Sequence, residues 1–406
     1  MTPLSRRLRA DLFATPADGA LSLGLIALIT AAAVGLVQWA TQRAQWAVIQ
    51  ANSTLFAVGR YPADQQWRLW LLTALLTAAT GVTWGLLRCH PRADRDGTLW
   101  PRNDRVVLAL LAAVAFLFPW VLHLTPALQS RWWLLAVLLA ATRWLAGRFG
   151  SQLSRPVLRL FPLVWPLLYL IGMVLISGGL GLMPVSPSQW GGLLLTLLTS
   201  SFAILLCFPL GVLLALGRRS DLPLLRWISV IYIEFIRGAP LITLLFLGQN
   251  ILGFLLPGGL APDRIWRAAW VLTFFAAAYL AEAVRSGLAS VPQGQMEAAR
   301  SLGLSYPQTL VKVVLPQALR VALPAMVGQF ISLLQDTTLL SLIGLLELLG
   351  VARTVMANPA FLGHSAEVYL TLALVFWSCC AALGLGSRAL EKRLDPQTLS
   401  RSSSQP

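Results

Sequence analysis

Charge is what this sequence has least of. Of its 406 residues only 12% are Asp, Glu, Lys or Arg, about half the ~25% found in a soluble globular chain. Lysine is almost missing, with Lys312 and Lys392 the only two. A phosphate-binding loop needs Gly-x-x-x-x-Gly-Lys followed by Ser or Thr, the Lys reaching the phosphates. Lys312 follows Val311 and Lys392 follows Glu391, so neither completes that loop. The histidines, His90, His123 and His364, lie far apart, and no His, Asp and Glu cluster has metal-ligand spacing. Cys89, Cys207, Cys379 and Cys380 have no metal spacing either and read as small residues in or beside apolar runs. No Ser or Cys lies on a nucleophile elbow. These shortages leave no catalytic residue and no metal ligand to nominate.

Apolar residues make up 57% of the chain, and its mean hydropathy is +0.71. Runs near the ~20 residues needed to cross a bilayer recur along its whole length. Ten spans are predicted. Five are Ala20–Ala40, Leu69–Leu87, Val106–Leu124, Trp132–Ala146 and Leu160–Leu180, the fourth of them short. The others are Trp190–Leu216, Trp227–Leu256, Ile265–Ser286, Leu323–Leu349 and Val368–Leu390. Gly238-Ala239-Pro240 is expected to break the seventh. The fold class is therefore an all-α integral membrane protein with about ten transmembrane helices.

The net charge of +15 would suit a nucleic-acid binder if the basic residues shared one soluble face. They sit instead in short gaps between apolar runs, as positive-inside signals do, which argues for the bilayer as partner and against nucleic acid. With a cytoplasmic N-terminus and alternating sides, the outer gaps hold only Arg43, Arg60, Arg68, Arg131, Arg264, Arg267 and Arg353. That asymmetry needs an even number of spans and puts both termini in the cytoplasm. Arg6, Arg7 and Arg9 before the run Leu21–Val37 resemble a signal peptide, but no small-x-small cleavage site follows directly, so the run reads as an uncleaved start-transfer anchor. Residues 1–187 form an N-terminal membrane region of about five spans with no polar motif to which chemistry attaches. Residues 188–394 form a second unit with charges inside spans and a cytoplasmic loop over 287–322. Residues 395–406 read as a disordered cytoplasmic tail.

The loop between the eighth and ninth spans, from Ser286 to Pro324, is too polar to cross and too patterned for a linker. A helix ending at a left-handed Gly303, a new start at Tyr306-Pro307 and an interruption at Pro316 predict a compact hairpin on the membrane surface. Its residues resemble the hallmark loop of bacterial ABC importer permeases: Glu-Ala-Ala, three residues, Gly, nine residues, an aliphatic, one residue, Leu-Pro. Here these are Glu297-Ala298-Ala299, Gly303, Val313 and Leu315-Pro316, every spacing kept. The resemblance extends over about Trp190 to Leu394, through IYIEFIRGAPLITLLF, AYLAEAVRSGLASVPQGQMEAARSLG and QDTTLLSLIGLLELLG, to the polar amino-acid permeases. In overall length it is similar to the long subunit of general L-amino-acid importers. Ser286 departs from the Gly usual there, and Gln335 from the frequent Lys.

That resemblance implies a five-helix type I ABC importer permease core in the bacterial inner membrane, carrying polar L-amino acids. Glu297, Ala298, Ala299, Gly303, Leu315 and Pro316 would dock a separate ATPase. Glu297 would pair with a basic residue, the alanines would permit close approach and Gly303 would make the turn. It implies ABC ATPase subunits, a second permease subunit of the same or another chain, and an extracytoplasmic amino-acid-binding protein. No cofactor would be bound by this chain, with ATP and Mg on the partner subunit.

Ionisable groups at bilayer depth are costly and normally face a partner or water. Tyr232-x-Glu234-x-x-Arg237 and Tyr279-x-x-Glu282-x-x-Arg285 each put a Glu and an Arg three apart on one helical face, where they can pair. They either neutralise one another or line a path, where a zwitterion would need both signs. Glu234, Arg237, Gln249, Glu282, Asp336, Thr337, Thr338 and Glu347 are the path candidates. Charges at mid-membrane would equally suit an ion-coupled secondary amino-acid transporter, but such a carrier has no use for the loop.

Overall fold

The computed structural model describes residues 15–89, 126–255 and 262–394. The predicted span Val106–Leu124 and the tail 395–406 lie outside them. The described residues form helices joined by turns, with isolated bridges in place of sheets. The all-α reading therefore holds.

In the first half, α1 (Pro16–Gln38) opens with a capping box, in which Thr15 accepts from the Asp18 N–H and Asp18 accepts from the Thr15 N–H. It is apolar on all sides and buries none of its residues, a surface only lipid can solvate. Helices α2 (Gln66–Cys89) and α3 (Pro126–Phe149) pack side by side. Gly81 lies against Thr142, Gly85 against Ala146, and the guanidiniums of Arg131 and Arg143 sit over the rings of Trp70 and Trp84. Partners on both helices advance along the chain together, which makes the pair parallel, so Cys89 and Pro126 lie at opposite ends of it. Helix α4 (Val164–Ser177) packs against α2 and ends in a tight turn.

The second half is built on α5 (Gly192–Arg218), α8 (Arg264–Ala289) and α10 (Leu315–Asp336). Between α5 and α8 in the chain come α6 (Pro223–Gly238) and α7 (Leu241–Leu255). After α8 come α9 (Gln293–Ser301), then α10, α11 (Leu348–Met356) and α12 (Ser365–Leu394). Lipid tails are as apolar as Leu, so helices in a bilayer gain by packing closely through small residues. Ala268, Ala269, Ala276, Ala277, Ala278 and Ala281 of α8 are all fully buried. A Cβ on Gly211 would lie 2.8 Å from Leu280 Cδ2, and one on Gly287 would strike the Ala318 carbonyl. Gly211 thus seats α5 on α8, and Gly287 seats α8 on α10.

Three sequence expectations change. The seventh span, Trp227–Leu256, is two helices: α6 and α7 meet at 107°, because Pro240 has no N–H to continue α6 and starts a new turn by accepting from Leu244. The ninth, Leu323–Leu349, starts earlier and stops sooner. Pro316 lies in the first turn of α10, where its missing N–H is not needed, so it begins a helix rather than interrupting one. The following 3₁₀ turns Thr337–Ile343 end at Gly344, whose φ of 78° leads the chain out of the span. Finally, the described residues contain seven helices long and apolar enough to cross a bilayer, or eight with the bent pair taken as one span. The count of ten is not reached among them. Trp132–Ala146 lies inside α3, which is about 36 Å long but is not among the seven.

Placing Leu at position 287 forces α8 off α10 and is expected to cost roughly 1–3 kcal/mol of overpacking. Gly24→Leu on α1, where an added Cβ meets nothing within 4 Å, is the control. Thermal unfolding of the two detergent-purified variants should separate them; equal melting temperatures would sink the packing argument.

Candidate functional site

The loop after α8 is built without slack. Pro292 starts α9, and α9 ends where the Gly303 N–H bonds the Arg300 carbonyl at 2.9 Å and the Leu304 N–H bonds the Ala299 carbonyl at 3.2 Å. Gly303 adopts φ 79°, the left-handed ending expected of it. Ser305 and Gln308 then form a capping box for the turn Tyr306–Thr309, and a single π turn, Leu310–Val314, feeds α10. The Arg300 guanidinium covers the Tyr306 ring at 5.8 Å, and Gln317 Nε2 reaches Gln295 Oε1 at 3.4 Å. The first contact holds α9 to the turn at Tyr306, and the second holds it to the start of α10.

Glu297, Ala298 and Gly303 are exposed on this hairpin, as is Pro316, while Leu315 is half-buried. Ala299, of the expected docking set, is turned inward and buried, so its small size serves packing against the chain itself. Exposed Leu302, Tyr306 and Val311 are not among the docking residues expected from sequence, yet Leu302 is the most exposed large apolar residue on the hairpin, at 83%. An apolar residue just before a turn glycine was the signal available.

About two turns up α8 from the loop, Glu282 gathers three arginines. Its Oε1 accepts from Arg218 Nη1 at 2.9 Å and its Oε2 from Arg285 Nε at 3.0 Å, with Arg237 Nη1 at 3.6 Å. The Glu282–Arg285 pair forms as expected. The Glu234–Arg237 pair does not, because Arg218, at the last turn of α5, reaches Glu234 at 2.8 Å, while Arg237 turns to Glu282 and the Tyr279 ring. Helix α6 is further fastened to α8 by the Tyr232 hydroxyl, which donates to the Phe274 carbonyl at 2.8 Å. Arg218 is not among the residues the sequence singles out, since its place at the end of an apolar run gives no hint that it bridges two carboxylates.

The remaining path candidates lie toward the opposite end of the bundle, away from Glu282. Gln249 Nε2 donates to the Arg264 carbonyl at 2.6 Å, and the Gln249 backbone carbonyl accepts from Arg267. Thr337 is buried with its hydroxyl on the Leu334 carbonyl, and Thr338 donates to Gln335. Glu347 is fully buried as the N-cap of α11, accepting from Leu349 at 2.8 Å and Gly350 at 2.9 Å. Burial pushes its carboxyl up to about 7, against the pull of those two N–H groups. Asp336, at the end of α10, is half-buried and has no ion pair among the described residues. The eight candidates therefore divide between two levels.

Glu282→Gln leaves three arginines without their shared carboxylate and should cost roughly 1.5–3 kcal/mol, the range for hydrogen bonds to charged groups. Arg285→Gln removes a guanidinium that is 43% exposed and should cost under about 1 kcal/mol. Chemical or thermal unfolding in detergent checks the order; a reversal would refute Glu282 as the hub.

Residues 207–396 match the family model described as the binding-protein-dependent transport system inner membrane component. The chain is 33% identical over 404 residues to the inner membrane amino-acid ABC transporter permease protein YhdY of Escherichia coli (strain K12), covering 95% of this chain and 92% of that protein. It is 37% identical over 417 residues to the glutamate/glutamine/aspartate/asparagine transport system permease protein BztC of Rhodobacter capsulatus, covering 95% and 93%. The probable glutamine ABC transporter permease protein GlnP of Bacillus subtilis (strain 168) is 39% identical over 205 residues, 50% of this chain and 92% of its own. With full-length relatives at this identity, the chain belongs to the family of inner-membrane components of binding-protein-dependent transport systems.

Proposed function

We propose that this chain is the membrane-spanning permease subunit of an ABC importer that carries polar L-amino acids into the cytoplasm, driven by ATP hydrolysis on separate subunits. The observation that carries this reading is the hairpin around Gly303: exposed at its tip, pinned by Ala299 at its base, and continuous with α8 and α10. A force on α9 passes directly into two of the three central helices, and through α8 to the Glu282 hub that ties in α5 and α6. A secondary carrier gains nothing from such a lever.

In this reading the ATPase subunits, which hold ATP and Mg, engage Glu297, Ala298, Gly303, Leu315 and Pro316 together with Leu302. The loop then faces the cytoplasm of a bacterial inner-membrane protein whose two termini lie on the same side. A second permease subunit completes the path and an extracytoplasmic binding protein delivers the amino acid. The carboxylate of Asp336, half-buried without a cation beside it, is suited to the ammonium group of the passing substrate. Glu347, with both oxygens committed to α11, is suited to holding the helix instead, and Glu234, Arg237 and Glu282 to latching α6. The amino-acid permease names of the two long relatives support the amino-acid class.

Glu297→Lys reverses an exposed charge at the interface and Gly303→Val puts a β-branched side chain on the left-handed turn at φ 79°. Each should weaken ATPase co-purification and substrate-stimulated hydrolysis roughly tenfold or more, as expected for an interfacial charge reversal or a displaced contact. Full coupling in both would refute the docking role.

Asp336→Asn should abolish amino-acid uptake into proteoliposomes while the complex still assembles and hydrolyses ATP at its basal rate. Undiminished uptake would remove Asp336 from the path.

A further inference from the structure

Between α4 and α5 the chain makes a turn that neither ATPase docking nor the substrate path accounts for. Gly179 and Leu182 exchange both backbone hydrogen bonds, at 3.2 and 3.0 Å, so the two residues between them form the tip of a miniature hairpin. Both tip residues have positive φ: Gly181 at 89° and Leu180 at 51°. Leu180 is the one non-glycine with positive φ among the described residues. A left-handed conformation disfavours a branched aliphatic side chain and is taken readily by Asn or Asp. The strain holds in place a side chain that is 93% exposed, with Met183 beside it at 68%.

The turn is rigid rather than loose. The Val185 N–H closes it on the Ser177 carbonyl at 2.9 Å. Below it lies Arg68, which is 2% exposed and donates to the Met183 carbonyl at 2.8 Å. Tyr61 donates to the Ile176 carbonyl at 3.0 Å, at the end of α4. A buried arginine spent on a surface turn makes sense if the turn must keep its shape. An apolar tip with no internal role, held against its own backbone preference, is an outlier of the kind that points to a function.

Its location says what it meets. Gly59 and Trp190 pair at its base, and Gly192 pairs with Glu347 next to that, so the turn stands beside the first residue of α5, at the end of the bundle opposite the Gly303 hairpin. That end also carries exposed Arg43, Arg60 and Arg353, and the polar Gln65 touches Met183, which places the tip among water-facing groups. We propose that the Gly178–Met183 turn is a docking knob for the extracytoplasmic binding protein, with Leu180 and Met183 entering an apolar recess on that protein and the arginines meeting acidic residues around it. The proposal rests on the reading of the chain as a binding-protein-dependent permease and adds a contact supplied by its N-terminal region.

The test uses the whole complex in nanodiscs and a purified binding protein that stimulates hydrolysis by the wild-type complex. If none does so, the functional reading itself fails and the turn is not in question. Leu180→Asn removes the apolar tip while keeping the left-handed turn, so basal hydrolysis and melting temperature should hold. Affinity for the binding protein should fall roughly five- to tenfold, as for loss of one buried anchor. Unchanged affinity overturns the proposal. A polarity-sensitive dye on Leu180→Cys should shift to the blue only when the binding protein is added. A dye already blue-shifted and quenched by brominated lipid without that protein would assign the tip to the bilayer and overturn the proposal as well.

Discussion

Close approach of α5, α8 and α10 is the constraint on which the rest of this protein depends. In water, burying Leu and Phe would hold three helices together almost regardless of detail. In a bilayer that driving force is absent, and contact has to come from backbones brought within reach of each other. The alanine face of α8, with Gly211 on one neighbour and Gly287 opposite Ala318, does this. Gripped from both sides, α8 joins the two ends of the bundle. One end continues into the Gly303 hairpin, and the other carries Arg264, whose guanidinium reaches the Ile343 carbonyl.

The charges inside the membrane make sense on the same frame. Glu282 and Glu234 with Arg218, Arg237 and Arg285 are less a row of isolated intramembrane charges than a single ion-paired cluster spread over α5, α6 and α8. Pairing across helices offsets the desolvation each group would otherwise suffer, and it ties the sharply bent α6 to the central helices. Asp336 stands apart because it has no ion pair among the described residues. That difference separates the charges that tie helices together from one that ties none.

The first half, which carries no chemical motif, is attached to the second at the end opposite the Gly303 hairpin. The backbone N–H of Gln45 donates to buried Glu367 of α12 at 2.9 Å. Val48, Ile49 and Phe56 pack with Leu348, Val351 and Val368. Among the described residues these contacts join the first half to the second at that end, and α1 buries none of its residues in them.

Much of this was legible in the residues. Apolar run length alone identifies the all-helical membrane class, because no other backbone arrangement without closed strands satisfies its hydrogen bonds in lipid. The spacing from Glu297 to Pro316 was enough to mark the hairpin, and Gly303 its turn, since local backbone preference decides both. Helix ends near prolines were misjudged at Pro316 because proline starts a helix as readily as it stops one. Cross-helix partners were not legible at all: an i, i+3 rule joins Glu234 to Arg237, and only the approach of α5 hands Glu234 to Arg218. Likewise Ala299 and Ala298 are equivalent in the motif, and only packing turns one inward. Membrane residence, the hairpin and the lack of a phosphate-binding loop were therefore determined by sequence, through properties each segment carries by itself. Which charges pair, which carboxylate stays unpaired and where Leu180 is displayed were decided by the tertiary structure, because each depends on a neighbour distant along the chain.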